Sequence, residues 1–173
     1  MSDSPRRPRV FLSYGHDNAG LVKRFVARLE ARGFDPLWDA MLLAGTSFME
    51  GIETFIAHSH AFVPLITEHS QHRPWVHQEI GFARALNVPI LPVMVGVAPD
   101  GFIGELHAAP CSDPPTDAEI EGVIARLPNL IEQARTTMPP LYAVARGSLT
   151  RHELTDRHLR QILDLDRTGC VRQ

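Results

Sequence analysis

Short unbroken apolar runs alternate along this chain with longer stretches in which apolar residues return every third or fourth position. The runs fall at residues 9–13, 34–38, 61–66 and 90–97, with a weaker one at 106–111. Runs of this length, bounded by glycine, proline and polar clusters, predict buried strands. Leu21, Val22, Phe25, Val26 and Leu29 form the stripe of an amphipathic helix, with Asp17 or Asn18 as cap and Gly33 as terminator. Ser47 and Glu50 read as a capping box opening a second helix that buries Ile52, Phe55 and Ile56. Pro74 suits the first turn of a third helix, where a missing N–H costs little; Val76, Ile80 and Ala83 give it a buried face, and Pro89 stops it. From Thr116 the residues Ile120, Val123, Ile124, Leu127 and Ile131 mark another helix, which Pro128 is expected to kink or divide. Pro64 is a difficulty inside the third run, because a central strand needs the amide that proline lacks.

Strands separated by helices predict an α/β, doubly wound parallel sheet of five strands, since parallel strands need crossover connections. The alternation ends near Arg135. Residues 136–140 read as a linker, and Leu154, His158, Ile162 and Leu165 give the stretch 149–165 helical spacing with too few apolar residues for a core of its own. The expected organisation is one domain over residues 8–135, then a linker and helical tail over 136–173.

Composition narrows the function. With 173 residues, 44% hydrophobic and 21% charged, the chain matches an ordinary globular domain rather than a disordered or fibrous one. A net charge of −3 argues against a protein that lives on nucleic-acid phosphates. The apolar stretch 88–98 is broken by Pro89, Pro92 and Gly96 and is shorter than the ~20 residues that span a bilayer. Neither a membrane span nor a secretion signal is expected, and a cytoplasmic location is. Cys111 and Cys170 have neither metal-ligand nor disulfide-framework spacing. His58, His60, His69, His72 and His77 do not fall at the i, i+4 spacing of a helical metal site, so no metal is expected and the histidines are read as surface residues.

If the strand order is 2-1-3-4-5, as in a flavodoxin-like sheet, ligands bind beyond the carboxyl ends of strands one and three, where the order reverses. Ser13, Tyr14, Gly15 and His16 fall on one side of that crevice and residues 67–79 on the other, with Trp38, Asp39 and the loop around Gly45 nearby. Trp75 and Glu79, at i and i+4, share one helix face. They read either as an aromatic plane and a carboxylate lining the crevice, or as a core tryptophan beside an exposed helical acid. Other chemistries on such a sheet fail. The ends of strands one and three lack the aspartates of a phosphoacceptor site, the loop after strand one lacks G-x-G-x-x-G, and no G-x-S-x-G elbow occurs.

Taken in order, Val10-Phe11-Leu12-Ser13-Tyr14, Gly33-Phe34 before Leu37-Trp38-Asp39, Leu43-Ala44-Gly45 with Phe48, Trp75-Val76-His77-Gln78-Glu79 and Pro89-Ile90-Leu91-Pro92-Val93 resemble a Toll/interleukin-1 receptor (TIR) domain. The helix-three motif is similar to that of bacterial TIR NADases and of the axon-degeneration TIR enzyme. The resemblance implies a flavodoxin-like sheet. It also implies an NAD+ glycohydrolase or cyclase that cleaves the nicotinamide–ribose bond, giving nicotinamide and ADP-ribose or a cyclic isomer, in a bacterial, antiphage setting. Glu79 would be the catalytic glutamate; Trp75 would stack on a base; Ser13, Tyr14 and Gly15 would line ribose and phosphates; Trp38, Asp39, Gly45 and Phe48 would complete the substrate site. NAD+ would be substrate, with no cofactor. Partners would be other TIR domains by self-association, together with an activating partner or parent-protein domain. The family also contains non-enzymatic TIR–TIR interaction modules, and a host-mimicking effector of that kind is the alternative. Three positions depart from the family pattern: Arg73 stands where a serine is common, Thr67 stands where strand three often ends in serine, and Gly15-His16 stand where a basic residue often follows the Ser-Tyr pair.

Overall fold

The computed structural model describes residues 7–41, 48–98, 103 and 106–137. Ser47, Gly45 with the loop at 42–46, and the tail from 138 onward therefore lie outside the described residues, as does the side chain of Phe48.

Five parallel strands form one sheet in the order β2-β1-β3-β4-β5: β1 (Arg9–Ser13), β2 (Asp35–Leu37), β3 (Ala61–Thr67), β4 (Val93–Val95) and β5 (Ala109–Cys111). The alternation of side chains along each strand sorts the core onto two faces. Val10, Leu12, Ala61, Val63, Leu65, Val93 and Val95 pack beneath α1 (Ala19–Ala31), α5 (Asp117–Ile124) and α6 (Leu127–Thr137). Phe11, Leu37, Phe62, Ile66 and Met94 pack beneath α2 (Phe48–His58) and α4 (Pro74–Ala85). Both faces are covered, which is why the strands read as unbroken apolar runs. Across α1 and α5, Arg24, Arg28 and Arg32 pair with Asp117 and Glu121.

Helix ends follow the sequence signals with shifts of one turn or less. Residues 16–18 form a 3-10 turn before α1 starts at Ala19, and Gly33 ends that helix at φ +82°, a left-handed conformation costly for any residue with a Cβ. Thr116 caps α5 in a reciprocal capping box with Glu119. The apolar stripe that follows is two helices, α5 and α6, with Pro128 at the second residue of α6; the expected division is present.

Two strand expectations are revised. Residues 90–97 predict one continuous strand, but Ile90 makes an isolated bridge to Phe62 and β4 begins only at Val93. Pro64 explains the break. Phe62 directs both its N–H and its C=O toward the 89–91 segment, so two residues on, by the period of a strand, the Pro64 nitrogen faces the same way with no proton to donate. The ladder resumes with Leu65 opposite Val93, in unchanged register. A short helix α3 (Glu68–Gln71), not anticipated, follows β3 directly, closed by a reciprocal capping box between Thr67 and Ser70.

Candidate active site

β1 stops at Ser13, opposite Pro64, while β3 continues to Thr67. That step lies where the strand order reverses, between β1 and β3, and a cavity of about 380 Å³ opens above it. Phe11 lies at its base, stacked on Phe62 at 5.4 Å and tilted against Phe55 at 5.8 Å, so the base is rigid and apolar.

Glu79 reaches the cavity from the second turn of α4 and is only 7% exposed. The Ser13 hydroxyl, itself 5% exposed at the end of β1, donates to Glu79 Oε2 at 2.5 Å. Burial pushes the Glu79 carboxyl up to about 7; the Ser13 hydrogen bond opposes that rise and the nearby charge of Asp39 adds to it. A carboxyl with that value is about half ionised at neutral pH. Tyr14, the next residue on the chain, donates its hydroxyl to Asp39 Oδ1 at 2.5 Å, and burial with that bond pushes the phenol up to about 12. Asp39 is thereby held at the cavity wall with an acceptor oxygen engaged.

Of the residues singled out from the sequence, Ser13, Tyr14, Gly15, Asp39, Trp75 and Glu79 all line this cavity. Trp75 is half-buried and Glu79 buried, the reverse of a core tryptophan beside an exposed acid. Trp38 is not among the lining residues; it packs, partly buried, against the core cluster that includes Val22, Phe25 and Val26 of α1. Gly45 and the Phe48 side chain fall outside the described residues.

The cavity also takes residues to which the sequence reading gives no individual role there, although it places the 67–79 stretch beside the crevice. Asp17 comes from the loop after β1, Met49 and Ile52 from α2, His69 and Ser70 from α3, and Arg73 from the cap position of α4. The signal that points to them is the Thr67-x-x-Ser70 spacing, which marks a helix start and places positions 69 and 70 at the rim. Among the described residues no group of three or more His, Cys, Asp or Glu side chains is arranged to hold a metal ion. Within the same limits, no helix is long and apolar enough to cross a membrane.

The TIR-domain family model matches residues 10–127, which is more than half of the chain and includes the whole β1-to-α5 region around the cavity. The chain belongs to the TIR-domain family. Among solved structures, the TIR domains of the activated Roq1 resistosome directly recognizing the pathogen effector XopQ share 18% identity with this TIR domain. That match covers 91% of this chain and 98% of the other, with a TM-score of 0.48. A metazoan TIR-STING receptor from C. gigas in complex with 2',3'-cGAMP shares 16% identity over 95% of this chain, with a TM-score of 0.51. This chain covers 54% of that receptor's chain, about half its length. At such identity the likeness to the receptor is one of fold. No curated protein matches this TIR domain in sequence.

Proposed function

We propose that this TIR domain is an NAD+ glycohydrolase or cyclase, with Glu79 as its catalytic residue. The observation that carries the reading is the buried Glu79 carboxylate, hydrogen-bonded by Ser13 at the inner end of a cavity that also presents Trp75 one helical turn earlier. NAD+ carries a cationic pyridinium on its ribose, so the C1′–N bond breaks with its electron pair returning to nitrogen, and nicotinamide leaves neutral. No acid is needed for that departure, unlike the oxygen leaving groups for which glycosidases use two carboxylates. What the transition state needs is an anion beside the oxocarbenium-like ribose, fixed in advance and shielded from water. Ionised Glu79 supplies it, and Trp75 offers a flat face for a base. Water adding to C1′ and losing its proton gives ADP-ribose; adenine adding instead gives a cyclic isomer. Self-association of TIR domains belongs to the same proposal, with the cavity side near the exposed Met49 open to a neighbour.

The test is nicotinamide release from NAD+ by concentrated protein, run beside Glu79→Gln and Glu79→Ala. The wild type is expected to release nicotinamide at least ~100-fold faster than either variant, the size typical of losing an electrostatic catalytic group. Equal background rates in all three, including under crowding, would sink the enzyme reading and leave the interaction module. Chromatography of the same reactions separates ADP-ribose from a cyclic product.

A further inference from the structure

The lining of the cavity is electrically one-sided. Asp17, Asp39 and Glu79 place three carboxyl groups in the lining, from the loop after β1, the turn after β2 and α4. Among the described lining residues, Arg73 is the one arginine or lysine; it stands at the cap of α4 beside His69. Its guanidinium Nη2 lies 2.6 Å from His69 Nε2. A guanidinium can only donate, so the imidazole nitrogen accepts and steadies the arginine from the side of α3. Arg73 is exposed and lines the cavity, and a guanidinium bonded through Nη2 still has further N–H groups to donate.

NAD+ has the complementary polarity: a cationic pyridinium at one end and a diphosphate bearing two negative charges next to it. A diphosphate laid against the aspartates would be repelled, and one laid against a guanidinium gains paired, charge-assisted hydrogen bonds. We infer that Arg73, steadied by His69, is the diphosphate-binding residue of this site, and that it fixes the orientation in which NAD+ enters, nicotinamide toward Glu79. This deepens the glycohydrolase reading and rests on it. The loop after β1, where Gly15 and His16 stand, carries neither arginine nor lysine, which leaves Arg73 as the one described guanidinium or ammonium group in the lining.

Because the diphosphate is bound alike before and during bond cleavage, Arg73 acts on binding rather than on the chemical step. Steady-state cleavage by the full chain is therefore measured for wild type, Arg73→Ala, Arg73→Lys and Arg73→Gln, on NAD+ and on nicotinamide riboside, which has the scissile bond and no phosphate. Expected for Arg73→Ala and Arg73→Gln are a KM for NAD+ raised ~10-fold or more, kcat within ~2-fold and an unchanged melting temperature, with Arg73→Lys intermediate. On nicotinamide riboside kcat/KM is expected to be the same for all four proteins. An unchanged KM for NAD+, or an equal loss on both substrates, overturns the inference. If the wild type cleaves neither substrate, the glycohydrolase reading has failed, and the subsite is judged by titrating inorganic pyrophosphate into wild type and Arg73→Ala. Binding weakened ~10-fold or more by the substitution supports the anion site; equal binding, or none by the wild type, overturns it.

Discussion

Glu79 is tuned by two opposed influences, and their balance has a measurable pH signature. Burial raises the carboxyl to about 7 and the Ser13 hydroxyl holds it below where burial alone would leave it. The proposed role needs the ionised form, so kcat/KM for NAD+ is expected to rise with pH through about 7 and then level off. Ser13→Ala removes the influence that lowers the value, so the rising limb moves to higher pH while its plateau is retained in part. A bound pyridinium favours the carboxylate, so the limb in kcat lies at lower pH than the limb in kcat/KM. Coincident profiles for wild type and Ser13→Ala would show that Glu79 is not the group being titrated. The same residues mark how far the site was legible in sequence. Trp75 and Glu79 share a face because i, i+4 positions must, and Ser13 and Tyr14 fall at the switch point because strand order places them there. His69 and Arg73 fell within the stretch placed beside the crevice, but their roles were not legible, since periodicity does not report which way a four-residue helix or a cap residue faces. Trp38 is partly buried against the core cluster of the α1 face and does not line the cavity, a placement that strand order does not report.

At the level of elements, the strands were legible because burial on both faces makes them continuous apolar runs, and the helices because each has one buried stripe. The departures come from proline. Pro64 interrupts the β3–β4 ladder without shifting its register, since Phe62–Ile90 and Leu65–Val93 keep the same offset, so the sheet tolerates a missing donor where a pattern reading doubts the strand. Gly33 is the opposite case, a residue whose role follows from its type alone. At φ +82°, with no heavy atom near the position of an added Cβ, the cost of substitution is purely one of backbone conformation. Gly33→Ala is expected to destabilise the domain by ~1 to 2 kcal/mol with nicotinamide release unchanged at temperatures well below unfolding. Urea midpoints read the first part, and a neutral result would mean that the α1–β2 turn relaxes to another conformation.

For the whole molecule, the site is a source of instability. The folded Glu79 carboxyl titrates at about 7, above its ordinary value of 4.5. The folded state therefore binds more protons than the unfolded state between those values, so stability falls as pH rises through that window and stays lower above it. The difference is on the order of 3 kcal/mol at about pH 8. Glu79→Gln keeps an oxygen for the Ser13 hydroxyl and has no charge to bury. It is expected to be more stable than wild type by that order at about pH 8, with the gap closing toward pH 4.5 and below. Equal urea midpoints at the higher pH would contradict the buried-charge account.

Because all five strands run parallel, the start of β1 and the approach to β4 lie on the same edge of the sheet, away from the cavity. Pro8 and Arg9 enter beside β2 and the start of β3, and Thr137 ends beside residues 87–90, at the opening of the β4 segment. Both points lie on the amino-terminal edge of the sheet, and the cavity lies on the other.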